Sequence, residues 1–117
     1  MTAEFVLTST VAVFTVLALL QLAFALHVRN SLTAYAVEGA RYGAREGAAP
    51  QAGVTRAQEL TRGAVAGRAV DEVTEHRAAA AGREVVVVEI TADLPLLGPW
   101  GPVDALTIQG RAMVEGP

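Results

Sequence analysis

Few side chains in this sequence are of the types that perform catalysis or bind metal ions. The chain has no cysteine, only two histidines (His27 and His76) and only two serines (Ser9 and Ser31). Neither histidine has clustered acidic residues or a cysteine beside it, as a metal site requires. Both serines fall in one helical stretch, which disfavours a serine-histidine-aspartate site. The sequence therefore predicts a protein that is not an enzyme and that binds no metal or cofactor.

Glu4 is the one charged residue whose position is chemically informative. It directly precedes an apolar run, Phe5 to Leu26, that contains no charged side chain. A carboxylate drawn to the middle of a lipid bilayer costs about 2.5–3.5 kcal/mol, and less near the edge. At the start of a helix, by contrast, negative charge interacts favourably with the helix dipole. Taken alone, Glu4 indicates an interfacial residue near a helix N-terminus.

The apolar run itself predicts a membrane-spanning helix. Its 22 residues would form a helix roughly 33 Å long, enough to cross the hydrocarbon core of a bilayer. Lipid offers the backbone no hydrogen-bond partners, so a single spanning segment has to be helical. The polar residues within the run can each form a hydrogen bond inside such a helix: Thr8, Ser9, Thr10, Thr15 and Gln21.

The same helix is predicted to continue past Leu26 to about Gly47, giving a long N-terminal helix within residues 1–48. Its second half carries small residues on adjacent rows of one face: Ala36, Gly39, Ala40, Gly43, Ala44 and Gly47. A strip without bulky side chains lets the backbone of another helix approach closely. We therefore predict that these six residues, the small-residue strip, pack against another helix. An alanine-rich, loosely helical linker remains the alternative.

Residues 49–117 are predicted to form one small domain. A break at 48–54 containing Pro50 and Gly53 precedes a second helix over about 55–80, with Gly82 as its stop. Its apolar face would comprise Val65, Ala66, Ala69, Val70 and Val73.

Beyond Gly82 the apolar residues alternate with a period of two, which predicts antiparallel strands over about 84–93 and 105–115. Val86, Val88 and Ile90 would point to one face of the first strand. The intervening loop carries Leu96, Leu97 and Trp100, which either form a contact patch or fold back on the core. The predicted fold class is α+β: a long N-terminal transmembrane helix, a second helix and a short antiparallel sheet.

The charge distribution excludes one class of partner and leaves the membrane topology open. The net charge is −3, whereas nonspecific nucleic-acid binding needs a basic face. No positive charge precedes the apolar run, and Arg29, Arg41 and Arg45 follow it. The positive-inside rule alone would thus place the C-terminal domain in the cytoplasm. A basic leader preceding Met1 would reverse that orientation.

Two segments of the first 48 residues carry a resemblance to a known family. They are Ala3-Glu4-Phe5-Val6-Leu7 and Asn30-Ser31-Leu32-Thr33-Ala34-Tyr35-Ala36-Val37-Glu38-Gly39-Ala40-Arg41-Tyr42-Gly43-Ala44. The chain resembles the type IV pilin superfamily, and more narrowly the TadE-like minor pilins (pseudopilins) of tight-adherence pili. The resemblance implies a pilin-like fold and a basic leader cut by a prepilin peptidase shortly before the glutamate. It also implies that Glu4 neutralises the N-terminal amine of a neighbouring subunit. One departure is that the family's glutamate commonly lies one residue further from the processed end.

The resemblance predicts a structural minor pilin that assembles through its N-terminal helix. Its implied partners are other pilin subunits (major and minor), the pilus assembly platform, the prepilin peptidase and the lipid bilayer. The implied location is the cytoplasmic membrane, with a single pass and the C-terminal domain outside, or a pilus on the cell surface. The alternative is a single-pass membrane anchor for a small binding or sensory domain unrelated to pili.

Overall fold

The computed structural model describes residues 2–64, 67–68, 70–94 and 103–114, except the side chains of 93, 94 and 103–106. Two helices precede three strands in the described part of the chain. These elements are α1 (Ala3–Gly43), α2 (Ala52–Arg62), β1 (Val70–Ala80), β2 (Arg83–Leu94) and β3 (Val103–Met113). The strands form one antiparallel sheet in the order β1-β2-β3. The predicted α+β, pilin-like architecture is confirmed.

The helix α1 starts with a side-chain cap, and two threonines of its apolar run form hydrogen bonds inside the helix. The Thr2 hydroxyl accepts a hydrogen bond from the Phe5 N–H at 3.4 Å, which engages one of the N–H groups that a helix start leaves without a partner. Thr10 and Thr15 donate hydrogen bonds of 2.8 Å to the carbonyl groups four residues earlier. Their hydroxyl groups therefore need no water.

The helix α1 ends earlier than the sequence predicts. It stops at Gly43, and the following residues form turns. Gly47, which was expected in the helix, has a φ of +76°, a left-handed conformation that glycine adopts without steric cost. The long helix is thus about four residues shorter than expected.

The predicted second helix over about 55–80 is wrong in its second half. The helix α2 ends at Arg62, and Val70–Ala80 forms strand β1 instead. The reason lies in the turn that follows: Ala81 and Gly82 have φ values of 51° and 77°, and Ala80 pairs directly with Arg83. Two left-handed residues between paired strands form the type of turn that matches the twist of a hairpin. Gly82 therefore closes a hairpin rather than ending a helix.

The two predicted strands correspond to β2 and β3, and β2 lies between β1 and β3. Val86, Val88 and Ile90 of β2 are fully buried on the face covered by the helices, the inner face. Val85 and Val87 point to the opposite, outer face but are also buried. In the register of the sheet Val87 lies between His76 and Arg111. Flanking side chains thus shield the middle strand on its outer face.

The core joins the second half of α1 to the sheet and α2. Its buried residues are Val28, Leu32, Ala36, Ala40, Ala44, Ala57, Val86, Val88, Ile90, Ala92 and Ile108. Small alanine and valine side chains dominate, so the layers lie close together. The predicted apolar positions Val65, Ala66 and Ala69 and the loop residues Leu96, Leu97 and Trp100 lie outside the described residues.

Candidate assembly surface on the N-terminal helix

The helix α1 divides at Val28 into an exposed first half and a buried second half. An 18-residue window of α1 has a mean hydropathy of 2.3, yet only 6% of it is buried inside the chain. By length and composition, α1 is able to cross a membrane. Since so little of it is buried, the exposed half is not the core of this chain's own domain. We call residues 3–27 the free half of α1.

The free half presents large apolar side chains around its whole circumference. Their exposed fractions run from 43% for Phe24 to 68% for Phe14. They are Phe5, Val6, Leu7, Val11, Val13, Phe14, Val16, Leu17, Leu19, Leu20, Leu22, Phe24 and Leu26. A helix that is apolar on all sides has to be surrounded by lipid or by other apolar helices.

Glu4 lies in the first turn of α1, two residues after the cap Thr2, and is exposed. It makes no hydrogen bond or ion pair with any residue in the described part of the chain. The carboxylate stabilises the helix start through the dipole. It also remains available to a cationic group of another molecule at the end of the free half.

Most of the small-residue strip is covered from within the chain. Ala36, Gly39, Ala40, Gly43 and Ala44 are all buried, whereas Gly47 lies beyond the helix and is exposed.

The helix that approaches the strip in this structure is α2. A Cβ added at Gly39 would lie 2.8 Å from the Gly53 carbonyl oxygen and 3.1 Å from the Ala57 Cβ. One added at Gly43 would lie 3.1 Å from the Gly53 nitrogen. The two helix backbones thus come within a distance that only small residues allow.

Glu75, which the sequence analysis did not single out, fixes α2 in place. Its two carboxylate oxygens accept hydrogen bonds of 3.0 Å from the Gln51 and Gly53 N–H groups. Gln51 itself caps α2 without a side-chain hydrogen bond. A carboxylate from β1 therefore supplies the negative charge and the acceptors that the start of α2 needs. This role could have been predicted only by assigning 70–80 as a strand, because the alternation of a strand then places Glu75 on the inner face.

The described residues form no catalytic constellation. His27 lies at the end of the free half of α1, and His76 lies on the outer face of the sheet. Ser9 and Ser31 both lie on α1. Within the described ranges, no group of three or more His, Cys, Asp or Glu side chains is placed to hold a metal ion.

Comparison with known proteins gives one result, and it falls on α1. Residues 1–41 match the family model described as TadE-like protein, so the match ends two residues before α1 does. Neither the curated proteins nor the solved structures give a significant match. The family match covers residues 3–7 and 30–41 of the two segments that carry the resemblance, and it confirms the resemblance to TadE-like proteins over this part of the chain.

Proposed function

We propose that this chain is a structural, non-enzymatic minor pilin (pseudopilin) of a tight-adherence-type pilus, and that it takes part in assembly by packing of its N-terminal helix. The observation that carries the proposal is the free half of α1, a largely apolar segment that carries a carboxylate in its first turn and is left uncovered by the chain's own domain. Such a helix suits both a bilayer and a bundle of similar helices. The TadE-like match over the same residues supports this role.

Before assembly, the free half lies across the cytoplasmic membrane and the domain that starts at Val28 lies outside. Arg29 then sits at the membrane surface, where its guanidinium reaches water and lipid headgroups. This orientation requires a basic leader on the cytoplasmic side, removed by a prepilin peptidase. The assembly platform then brings the free half together with the helices of other major and minor pilin subunits.

Glu4 has a specific task in this proposal. When the helices bundle, the N-terminal ammonium group of a neighbouring subunit enters an apolar environment, where an unpaired charge costs about 2.5–3.5 kcal/mol. The Glu4 carboxylate is exposed and makes no ion pair within the described chain, so it is available to pair with that ammonium group. Pairing offsets the cost for both charges.

The small-residue strip serves assembly indirectly. A helix of another subunit would have to displace α2 to lie against Gly39 and Gly43. In this proposal the strip therefore holds α2 and the sheet against α1, and the free half makes the helix contacts between subunits.

The test is to replace Glu4 by Gln or Ala in the organism and to count sheared filaments. Loss of about 3 kcal/mol of pairing corresponds to roughly a hundredfold fewer productive insertions, while membrane levels of the protein stay unchanged. Glu46→Gln, at an exposed position in the turn after α1, is the matched control and leaves filament numbers normal. Normal piliation in the Glu4 variants would contradict the proposal and favour the membrane-anchor alternative.

A further inference from the structure

The end of the domain that lies nearest the free half of α1 contains the end of α2. Gly43 lies against the start of α2 at Gly53, whereas Gly39 also lies against Ala57, one turn further along α2. The helix α2 therefore runs antiparallel to α1, and its last residue, Arg62, lies beyond Ala57 on the side of the free half. We call this end of the domain its base.

One end of the sheet also lies in the base. The strand β1 starts at Val70, and Glu75 further along the strand reaches the start of α2. The strand thus runs back along α2, from the end of the helix toward its start. Because the sheet is antiparallel, β2 ends in the base at Leu94 and β3 begins there at Val103. The hairpin turn between β1 and β2 lies at the opposite end of the sheet.

An arginine of the base comes within reach of the membrane surface. Arg62 lies about 7–8 Å beyond Ala57 along α2, and the same distance from Gly39 toward the free half reaches Ala34 on α1. From Ala34 to Leu26, the last residue of the apolar run, is about 12 Å of helix. The headgroup layer is about 5–7 Å thick on each side of the hydrocarbon core, and an extended arginine side chain reaches about 7 Å from its Cα. The Arg62 guanidinium therefore reaches the headgroup layer.

Two arginines flank a cavity at the end of α2. The Ala64 N–H donates to the Thr61 carbonyl at 3.2 Å, and the Gly67 N–H donates to the Ala64 carbonyl at 3.1 Å. These turns place Gly67 against the Thr61 backbone and return Arg68 to the end of α2. The cavity, of about 250 Å³, is lined by this turn together with Arg62 and Arg68. Both arginines are exposed, and neither forms an ion pair with a described side chain.

Carboxylates accompany these arginines in the base. Glu59 already forms an ion pair within α2, but Asp71 and Glu72 at the start of β1 are exposed and form no ion pair with a described side chain. Two further acidic residues of the base, whose side chains lie outside the described residues, are Asp93 and Asp104. The base therefore carries charges of both signs, as a zwitterionic phospholipid headgroup does with its phosphate and ammonium groups.

We propose that the base of the domain docks on zwitterionic phospholipid headgroups of the membrane that the free half spans, with Arg62 and Arg68 on headgroup phosphates. The inference rests on the proposed function, which places the free half across that membrane. Guanidinium groups match phosphate oxygens in charge and geometry, and the cavity between the two arginines gives a phosphate room to enter. Asp71 and Glu72 pair with the ammonium groups of the same headgroups.

Docking of the base has a consequence for the free half. The helix α1 runs unbroken from the free half into the domain, so a domain held against the headgroups on the α2 side sets the tilt of the whole helix. Interfacial anchors are one of the factors that determine the tilt of a membrane helix. The docked base thereby fixes the angle at which the free half meets the helices of other subunits.

Fluorescence quenching tests the docking in the full-length chain, which has no cysteine of its own. Gln58→Cys places a fluorophore on the exposed surface of α2. Ala34→Cys places one on α1 nine residues before Gly43, or two and a half turns, so that it points away from α2. Each labelled chain is reconstituted in nanodiscs of phosphatidylethanolamine and phosphatidylcholine that contain a small share of a lipid with a nitroxide on its headgroup.

The expected result is quenching at position 58 that depends on the two arginines. Arg62→Gln combined with Arg68→Gln should lower the ratio of docked to undocked domains roughly fivefold, as for two exposed ion pairs. Quenching at position 58 should then fall, whereas quenching at position 34 should not. Arg83→Gln is the matched control, because Arg83 is exposed beside the hairpin turn at the far end of the sheet. It should leave quenching at both positions unchanged.

The lipid matrix then tests whether phosphate is the group that is bound. Nanodiscs of digalactosyl diacylglycerol, whose headgroup has no phosphate, contain the same nitroxide lipid in the same share. Quenching at position 58 should fall there to the level of the double arginine variant. Equal quenching in the two matrices would overturn the assignment of phosphate.

Two further results would overturn the docking itself: quenching at position 58 that is unchanged in the double variant, or an equal loss in Arg83→Gln. These failures are separable from failure of the proposed function. A chain that inserts its free half into the nanodisc without arginine-dependent quenching would disprove only the docking of the base. A chain that does not insert at all would contradict the membrane step of the proposed function.

Discussion

Replacement of Gly110 by Ala tests how closely β3 lies against α1. A Cβ at Gly110 would overlap the backbone atoms of Ala36 and Val37. A backbone, unlike a side chain, has no alternative rotamer that would relieve the overlap, so the helix and strand must separate. Overpacking of this kind lowers the free energy of unfolding by about 1–3 kcal/mol. Because the added Cβ would overlap three backbone atoms, we expect a loss at the upper end of that range for Gly110→Ala. Alanine in a strand interior regains about 0.5–1 kcal/mol over glycine. The net loss of unfolding free energy is thus about 2 kcal/mol.

The assay is thermal unfolding of the full chain in detergent micelles, followed by circular dichroism. For a domain of this size, a loss of about 2 kcal/mol lowers Tm by roughly 8–16 °C. Gly63→Ala is the matched control, because its Cβ would meet nothing within 4 Å and its φ is −91°. There alanine restricts only the unfolded chain, and the variant should unfold at the same temperature or a few degrees higher.

The two interpretations predict changes in Tm of opposite sign, so one measurement distinguishes them. Strand propensity alone predicts that Gly110→Ala stabilises the protein, whereas the contact with α1 predicts that it destabilises it. A Tm for Gly110→Ala equal to or above that of the unmodified chain would refute the close helix-strand packing described for the core.

Two further substitutions test how α2 is held. Glu75→Gln weakens the two hydrogen bonds to the start of α2 and should cost about 1–2 kcal/mol in the same unfolding assay. Glu72→Gln, at an exposed neighbouring position, should change little, and equal effects of the two would argue against the cap. Gly43→Leu should force α2 away from α1 and speed tryptic cleavage at Arg56 and Arg62 in native membranes. Ala34→Leu, at an exposed position of α1, should leave cleavage unchanged, so equal rates for both variants would contradict the helix contact.

The parts of the fold that the sequence predicts are those set by local pattern. The uncharged run from Phe5 to Leu26 specifies a helix by its length and composition, and the alternation of Val86, Val88 and Ile90 specifies a strand. Both signals are long and depend on no distant residue.

The segment 70–80 could not be assigned in this way, because its conformation depends on its partner. Three consecutive alanines favour a helix when considered alone: Ala78, Ala79 and Ala80. In the structure they pair in turn with Val85, Glu84 and Arg83 of β2. The turn at Ala81-Gly82 decides between a helix and a strand for this segment. Its sequence alone is compatible both with the end of a helix and with a hairpin turn.

In the candidate site, as in the fold, only the features that depend on local sequence could be predicted. Glu4 and the free half of α1 follow from sequence order alone. The role of Glu75 was missed because it depends on the pairing of β1. The spacing of the small-residue strip predicted close approach of a helix, but spacing carries no information on whether that helix belongs to the same chain. The contacts of Gly39 with Gly53 and Ala57 identify α2 as that neighbour in this structure.

In the proposed function, the free half of α1 packs against helices of other pilin subunits. Site-specific photocrosslinking from Phe14, the most exposed of its large side chains, tests it in cells that are assembling pili. A photoreactive residue at Gln58, on the exposed surface of α2, serves as the control. We expect adducts between position 14 and pilin subunits, identified by mass spectrometry and absent from the control. Adducts with lipid alone, or with proteins unrelated to pili, would contradict it.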